Sequence, residues 1–417
     1  MWCTGINALG FNLDERGGRF GEDSTIPDQA AIKYFHDRGA NCFRLPVTWS
    51  RLQEDLGDEK LWLVKGFEQT VEFITETLGD YLIIDPHDWF YGLKFHDGFV
   101  EEALPNKVPR VVDVTRADFV RLWHALAKKF GKNPRVIFGL YNEPKNGHDN
   151  HTNFYFKVGE DTSQMVESWR QWTQSAIDEI RALGANNTIL VSGFKRSSCH
   201  DWDGGSGWGE SLENASHYEG NTRLAALTDP ANRLAYDVHQ FFDSTATGSF
   251  TGDQYGCAGH NQTHEGYMGA DEGCLTNLVK WAKTYKKKFM MTEIASMADP
   301  EDRSSWDACK SKMLNFLERM NESGVFLGYQ IWQFGCPLCK GDLSTLSPSN
   351  LDWYGLDLYG TSRTSTSTTT TSTTLMTSTR TQATTTNAPR AIAGAPSTHG
   401  IAFAAAAAFG HVMSSFM

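Results

Sequence analysis

The sequence predicts an α/β fold, a (β/α)8 TIM barrel. Two observations predict it, and a third weakens its rival. Eight short apolar runs recur along residues 2–360. Longer stretches with a helical apolar stripe lie between most of them. Eight strand–helix units over that length fit a closed parallel barrel. The rival is a doubly wound open sheet, but no Gly-x-Gly-x-x-Gly follows the first strand.

Taken in order, the expected strands are 5–9, 41–47, 81–86, 136–141, 188–192, 234–238, 289–292 and 326–332. The expected helices are 27–38, 64–78, 116–130, 163–183, 275–286 and 302–322. The fourth strand, Val-Ile-Phe-Gly-Leu-Tyr, is rich in bulky apolar side chains and has no helical stripe, as in a buried parallel strand. It ends on Asn142-Glu143-Pro144. Proline restricts the residue before it and lacks a ladder N–H, so the strand stops there. A carboxylate is left where a buried strand emerges.

Composition narrows the function classes. The chain has 417 residues, 38 basic against 50 acidic, for a net charge of −12. That argues against a nucleic-acid partner. Aromatics make up 12%, with 13 Trp, and large indoles are costly to bury completely, so an aromatic-lined groove is expected. Eight Cys and Asn-x-Ser/Thr acceptors at Asn150, Asn186, Asn214, Asn261 and Asn321 point to secretion. Met1 runs straight into a strand, with no charged or apolar leader, so a truncated start is expected.

Residues 1–360 are expected to form the barrel. Residues 361–390 are dominated by Thr and Ser and read as a disordered, O-glycosylated linker. Residues 391–417 form an Ala-rich tail, too short for an independent fold. Its apolar run has elements of a glycolipid-anchor signal, but His411 and Ser414-Ser415 count against one.

In a barrel, chemistry gathers where strands end. Those ends carry Arg44, His87, Asn142, Glu143, His239 and Glu293, with Trp332 on the last strand. Each has a bland alternative. Arg44 would serve as a structural ion-pair partner, either histidine as a hydrogen-bonded core residue, either glutamate as a solvated turn residue, and Trp332 as packing. Their joint fall on one rim is harder to explain as packing. Glu143 and Glu293 end strands four and seven, which lie nearly opposite in a barrel. Paired carboxylates, one protonated and one ionised, are what glycoside hydrolysis requires.

The segments Asn41–Trp49, Ile84–Asp88, Leu140–Pro144, Asp237–His239, Met291–Glu293 and Gly328–Trp332 resemble, in order and spacing, those of glycoside hydrolase family 5. The likeness is to its secreted endo-β-1,4-glucanases. It implies Glu143 as acid/base and Glu293 as nucleophile. It further implies Asn142 on the sugar 2-hydroxyl, Arg44 supporting the nucleophile, and His87 and His239 in substrate binding and acid/base support. Trp332 would be the aromatic floor, and Trp49 and Trp202 would be flanking subsites; Trp89 and Trp208 are further candidates from composition. The implied enzyme is monomeric, needs no cofactor or metal, and takes a β-glucan as its partner.

One departure stands out. Where that family carries a tyrosine whose hydroxyl contacts the nucleophile, this chain has Phe241. Losing that donor is expected to raise the pKa of Glu293, with Tyr329 a candidate substitute. The resemblance also implies a Cys274–Cys309 disulfide. Cys3 and Cys42 are expected as buried thiols on adjacent strands, and Cys336–Cys339 as a local bridge. A β-mannanase or other β-glycanase, and a weakly active wall-binding protein, are the rival readings.

Overall fold

The computed structural model describes residues 1–9, 26–53, 61, 63–64, 66–87, 94–95, 110–111, 114–144, 162–200, 202, 220–242, 270–295 and 303–334. The expected strands form within about two residues of their predicted bounds, apart from longer C-terminal ends in the sixth and seventh. They are β1 (Cys3–Ala8), β2 (Cys42–Val47), β3 (Tyr81–Pro86), β4 (Val136–Gly139), β5 (Ile189–Ser192), β6 (Leu234–Phe241), β7 (Phe289–Ala295) and β8 (Phe326–Phe334). All pair in parallel with their sequence neighbours, and β8 closes on β1. The fold is a closed (β/α)8 barrel.

The helices are α1 (Gln29–Asp37), α2 (Phe67–Glu72, continued by a π turn over Phe73–Thr77), α3 (Arg116–Phe130), α4 (Thr162–Ala182), α5 (Ala270–Tyr285) and α6 (Arg303–Ser323). Their starts follow local chemistry. Asp28 caps α1 by accepting from Ala30 N, and Thr115 and Asp118 form a reciprocal capping box on α3. Between β5 and β6 the described residues hold a 3₁₀ segment, Gly220–Ala226, which no periodic stripe announces. A small antiparallel ribbon pairs Lys94–Phe95 with Arg110–Val111 beyond β3. Among the described residues no helix is long and apolar enough to cross a membrane.

The barrel is filled in layers. Its base is apolar, built from Ile83, Ile137, Leu190, Ala235 and Met290 around Cys3 and Cys42. Those two cysteines are bonded to each other, not free thiols as expected. Adjacent parallel strands point both inward and hold their Cα atoms 5.1 Å apart, within bridging range. Gly5 permits this closeness, since a Cβ there would fall 1.6 Å from the Cys42 carbonyl oxygen. Cys274 pairs with Cys199, correcting the expected partner Cys309. The chain after β5 returns to the edge of β6, where Cys199 N donates to His239 O, and this brings Cys199 beside the start of α5.

Two aromatic expectations are corrected. Trp49 is fully buried, packs on Phe119 and donates its Nε1 to Gln53. Trp202 is fully buried among Tyr236, Trp281 and Phe289. Both offer no face to a ligand; their large apolar area is spent on the layer between sheet and helices. Trp89, Trp208 and the Cys336–Cys339 pair lie outside the described residues. The chain divides into units Met1–Thr364 and Ser365–Met417. The 361–390 and 391–417 segments also lie outside the described residues.

Candidate active site

Above the apolar base the strands turn inward a polar layer. Asn7 comes from β1, Arg44 from β2, Asp85 from β3, Ser192 from β5, Asp237 from β6 and Thr292 from β7, all buried. At the C-terminal rim stand His87, Asn142, Glu143, His239, Glu293 and Trp332. The barrel thus gathers every residue expected on the rim.

Arg44 organises one half. Its Nη1 donates to Glu293 Oε1 at 2.5 Å and to Asn7 Oδ1 at 3.0 Å. Its Nη2 donates to Asn142 Oδ1 at 2.7 Å and lies 2.9 Å from Asp85 Oδ2. Asn7 is fixed in turn by donating to Thr292 O and Ile331 O. His87 Nδ1 donates to Asp85 Oδ2 at 2.8 Å, leaving Nε2 to accept from Asn142 Nδ2 at 3.3 Å. Burial and the Arg44 charge bring His87 down to about 3, so it is neutral. Burial pushes Asp85 up to about 7, against the pull of Arg44. Trp332 stacks on the His87 ring, with centroids 5.5 Å apart and planes 13° apart.

His239 organises the other half. Its Nδ1 donates to Glu143 Oε1 at 2.8 Å and stands 3.6 Å from Glu293 Oε2. Its Nε2 lies 3.0 Å from Thr292 Oγ1 and 3.5 Å from Asp237 Oδ2. Burial opposes its charge, but the Glu293, Asp237 and Glu143 carboxylates outweigh burial and push its pKa up to about 10. It is therefore an imidazolium at neutral pH.

The two glutamates meet across this frame. Ligand atoms of Glu143, His239 and Glu293 all lie within 4.8 Å of one another. Burial pushes the Glu293 carboxyl up, with His239 and Arg44 opposing and Glu143 adding to the rise. Burial acts to raise the Glu143 carboxyl, but the hydrogen bond and charge of His239, with Arg196 and His87 behind them, together hold it low. The Glu143 side chain is 16% exposed and that of Glu293 only 4%. Glu143 is thus the one that faces the opening. Its backbone has φ +39°, in the left-handed region that non-glycine residues rarely occupy. Two carboxylates and an imidazole have the composition of a cation site. Their negative charge is already met by Arg44 and the imidazolium.

Local structure explains how Glu293 arrives. Val238 is opposite Met291, but His239 is opposite Glu293, so β7 carries one extra residue at Thr292. This bulge lets both Thr292 and Glu293 reach His239, which strict alternation forbids. Phe241 packs with Leu9, Ala295 and Trp332 beside the site. Among the described residues the hydrogen-bond donor to Glu293 is Arg44. Tyr329, the expected substitute, is in the outer apolar layer with Ile331, on the face of β8 opposite Trp332.

Sequence reasoning left Asn7, Asp85, Ser192, Asp237 and Thr292 without roles. Their signal was available: each is a polar residue in a strand whose other positions are largely buried and apolar.

Comparison with known proteins gives the family. The family model for cellulase (glycosyl hydrolase family 5) matches residues 4–335. Endoglucanase 1 of Robillarda sp. (strain Y-20) is 27% identical over 351 residues, covering 80% of this chain and 77% of that protein. Manganese dependent endoglucanase Eg5A of Phanerodontia chrysosporium is 28% identical over 251 residues, 59% of this chain and 54% of that one. The structure of XacCel5A in complex with cellopentaose has a TM-score of 0.62 at 24% identity, covering 85% of this chain and 98% of that chain; this likeness is one of fold. With four-fifths of its length matched, and with the glutamates opposed on a closed barrel, the chain belongs to the cellulase family, glycosyl hydrolase family 5.

Proposed function

We propose that the protein is a secreted, retaining endo-β-1,4-glucanase that acts by double displacement. The observation that carries this is the near approach of Glu143 and Glu293, within 4.8 Å, with Arg44 donating a hydrogen bond to Glu293. Carboxyl groups about 5–5.5 Å apart leave no room for a water between acid and base, and favour the covalent route.

Glu293 attacks the anomeric carbon. Arg44 keeps it ionised, and a proton on Glu143 removes the repulsion that raises it. Glu143, facing the opening, gives that proton to the departing glycosidic oxygen. A sugar covering Glu143 displaces its water and raises its pKa, which suits an acid. In the second half Glu143 takes a proton from water as that water attacks the glycosyl-enzyme bond, releasing Glu293. Asn142, fixed by Arg44 and His87, is placed to meet the sugar 2-hydroxyl. Trp332 offers a ring on which the sugar rests. Arg44 and the His239 imidazolium supply the positive charge, so the reading needs no metal. The two disulfides support an oxidising compartment, and the acceptor residues Asn186 and Asn321 are exposed.

The test is reducing-sugar release by the full chain from carboxymethyl cellulose, mannan, xylan and mixed-linkage glucan, with product stereochemistry followed by NMR. Release from the cellulose derivative with β-anomer first is expected. Release from mannan alone overturns the glucanase reading, and α-anomer first overturns the retaining route.

A further inference from the structure

Asp237 has no part in the two-glutamate scheme, yet it is fully enclosed beneath it. Its side chain is 5% exposed. Thr292 Oγ1 donates to Asp237 Oδ1 and so accepts from His239 Nε2. Asp237 Oδ2 lies 3.5 Å from that same Nε2, and Ser192 Oγ stands 3.0 Å from it. A continuous line of buried polar atoms therefore runs Asp237–Thr292–His239–Glu143. Its direction is fixed at both ends. Asp237, whose ionised form His239, Arg44 and the Thr292 hydroxyl favour against burial, can only accept. Thr292 has one hydroxyl hydrogen and spends it on Asp237. A proton must then sit on His239 Nε2 for the 3.0 Å contact to be a hydrogen bond, and another on Nδ1 to meet Glu143.

We propose that Asp237, bridged by Thr292, is the positioning residue that keeps His239 doubly protonated, so that one imidazolium serves both glutamates. Toward Glu293 it supplies a second positive neighbour 3.6 Å away. Toward Glu143 it supplies the proton: Nδ1–H passes to Glu143 Oε1 and on to the glycosidic oxygen, and hydrolysis of the intermediate returns a proton by the same atoms. This rests on the proposed function, since it assigns that reaction its proton store. The charged groups facing His239 are Glu143 beyond β4, Glu293 on β7 and Asp237 on β6. Arg44 on β2 and Asp85 and His87 on β3 stand behind them, and Arg196, beyond β5, faces Glu143. Asp237 is the acidic group on the Nε2 side.

The test uses the full chain with Asp237→Asn, Thr292→Val and Thr292→Ser, each confirmed folded by circular dichroism. Removing a charge this near moves a partner's pKa by about 1–3 units. In the wild type, ¹⁵N shifts of the His239 ring at pH 7.5 should show both nitrogens protonated. In Asp237→Asn and Thr292→Val the ring should titrate at lower pH, and the basic limb of the kcat/KM profile on carboxymethyl cellulose should fall by about one pH unit or more. Thr292→Ser, which keeps the hydroxyl, should restore the limb. A neutral ring in the wild type overturns the proposal. So does an unmoved limb in Asp237→Asn, or a Thr292→Ser profile that matches Thr292→Val. Absence of wild-type hydrolysis overturns the proposed function instead, and the ring titration still decides the protonation of His239.

Discussion

Arg44 Nη1 meets Glu293 Oε1 at 2.5 Å although the two residues are 249 positions apart. One guanidinium also holds Asp85 and Asn142, so a carboxylate on each of two strands and the Asn142 amide are set by a single side chain. Arg44→Met leaves two buried carboxyls without their cation. Breaking a buried pair from one side costs about 3–5 kcal/mol. Chemical unfolding should show a loss of that size, and any residual activity should have its acid limb moved to higher pH as Glu293 loses its cation. An unchanged acid limb would show that Arg44 does not govern Glu293.

Glu143→Gln removes the proposed proton donor and should lower kcat by about 10²–10⁴-fold on carboxymethyl cellulose. Activated substrates with good leaving groups need no proton, so their first step should be spared. Glu293→Gln should abolish turnover on both. Equal losses on the two substrate types in Glu143→Gln would contradict its role as acid.

Phe241→Tyr places a hydroxyl beside Trp332 and Ala295, the latter two positions beyond Glu293 on β7. A hydrogen bond to a charged acceptor contributes about 1.5–3 kcal/mol. The donor should lower the pKa of Glu293, extend activity to lower pH and raise kcat. A pH profile and rate identical to the parent's would refute this.

His87 is neutral when folded, with its pKa near 3, against about 6.5 in an unfolded chain. Below pH 6.5 the unfolded chain takes a proton that the folded one refuses. Its contribution to stability is whole above that pH and erodes as pH falls, levelling off near 3. At pH 5 the loss is about 2 kcal/mol. Urea unfolding at pH 7 and pH 5 should show the wild type losing about that much more than His87→Gln. Equal losses would place the proton elsewhere.

The name of the manganese dependent relative makes metal worth testing directly. Arg44 and the imidazolium already neutralise both glutamates, so dialysis against a chelator should leave activity on carboxymethyl cellulose unchanged. Added Mn²⁺ should not raise it. A return of lost activity on Mn²⁺ addition would reverse this reading.

Much of the frame was legible because parallel strands are buried on both faces. Their continuous apolar runs gave the order of eight strands and hence the rim. Glu143 and Glu293 stood out because each follows such a run. Trp49 and Trp202 misled because a resemblance in order and spacing does not say which way an indole faces, and area on the outer layer is equally well used under a helix. The Cys199–Cys274 bridge was hidden because a loop's return path leaves no periodic mark.

By itself the sequence determined the barrel, the family and the pair of carboxylates, since periodicity and local motifs record which residues are buried and where strands stop. Tertiary structure alone decided the charge on each group. Whether His87 is neutral and His239 an imidazolium depends on which distant strands bring Arg44, Asp85 and Asp237 beside them. The bulge at Thr292, which puts two successive side chains against His239, exists only in the pairing of β7 with β6. Electrostatics falls steeply with distance, and distance is set by the closed sheet.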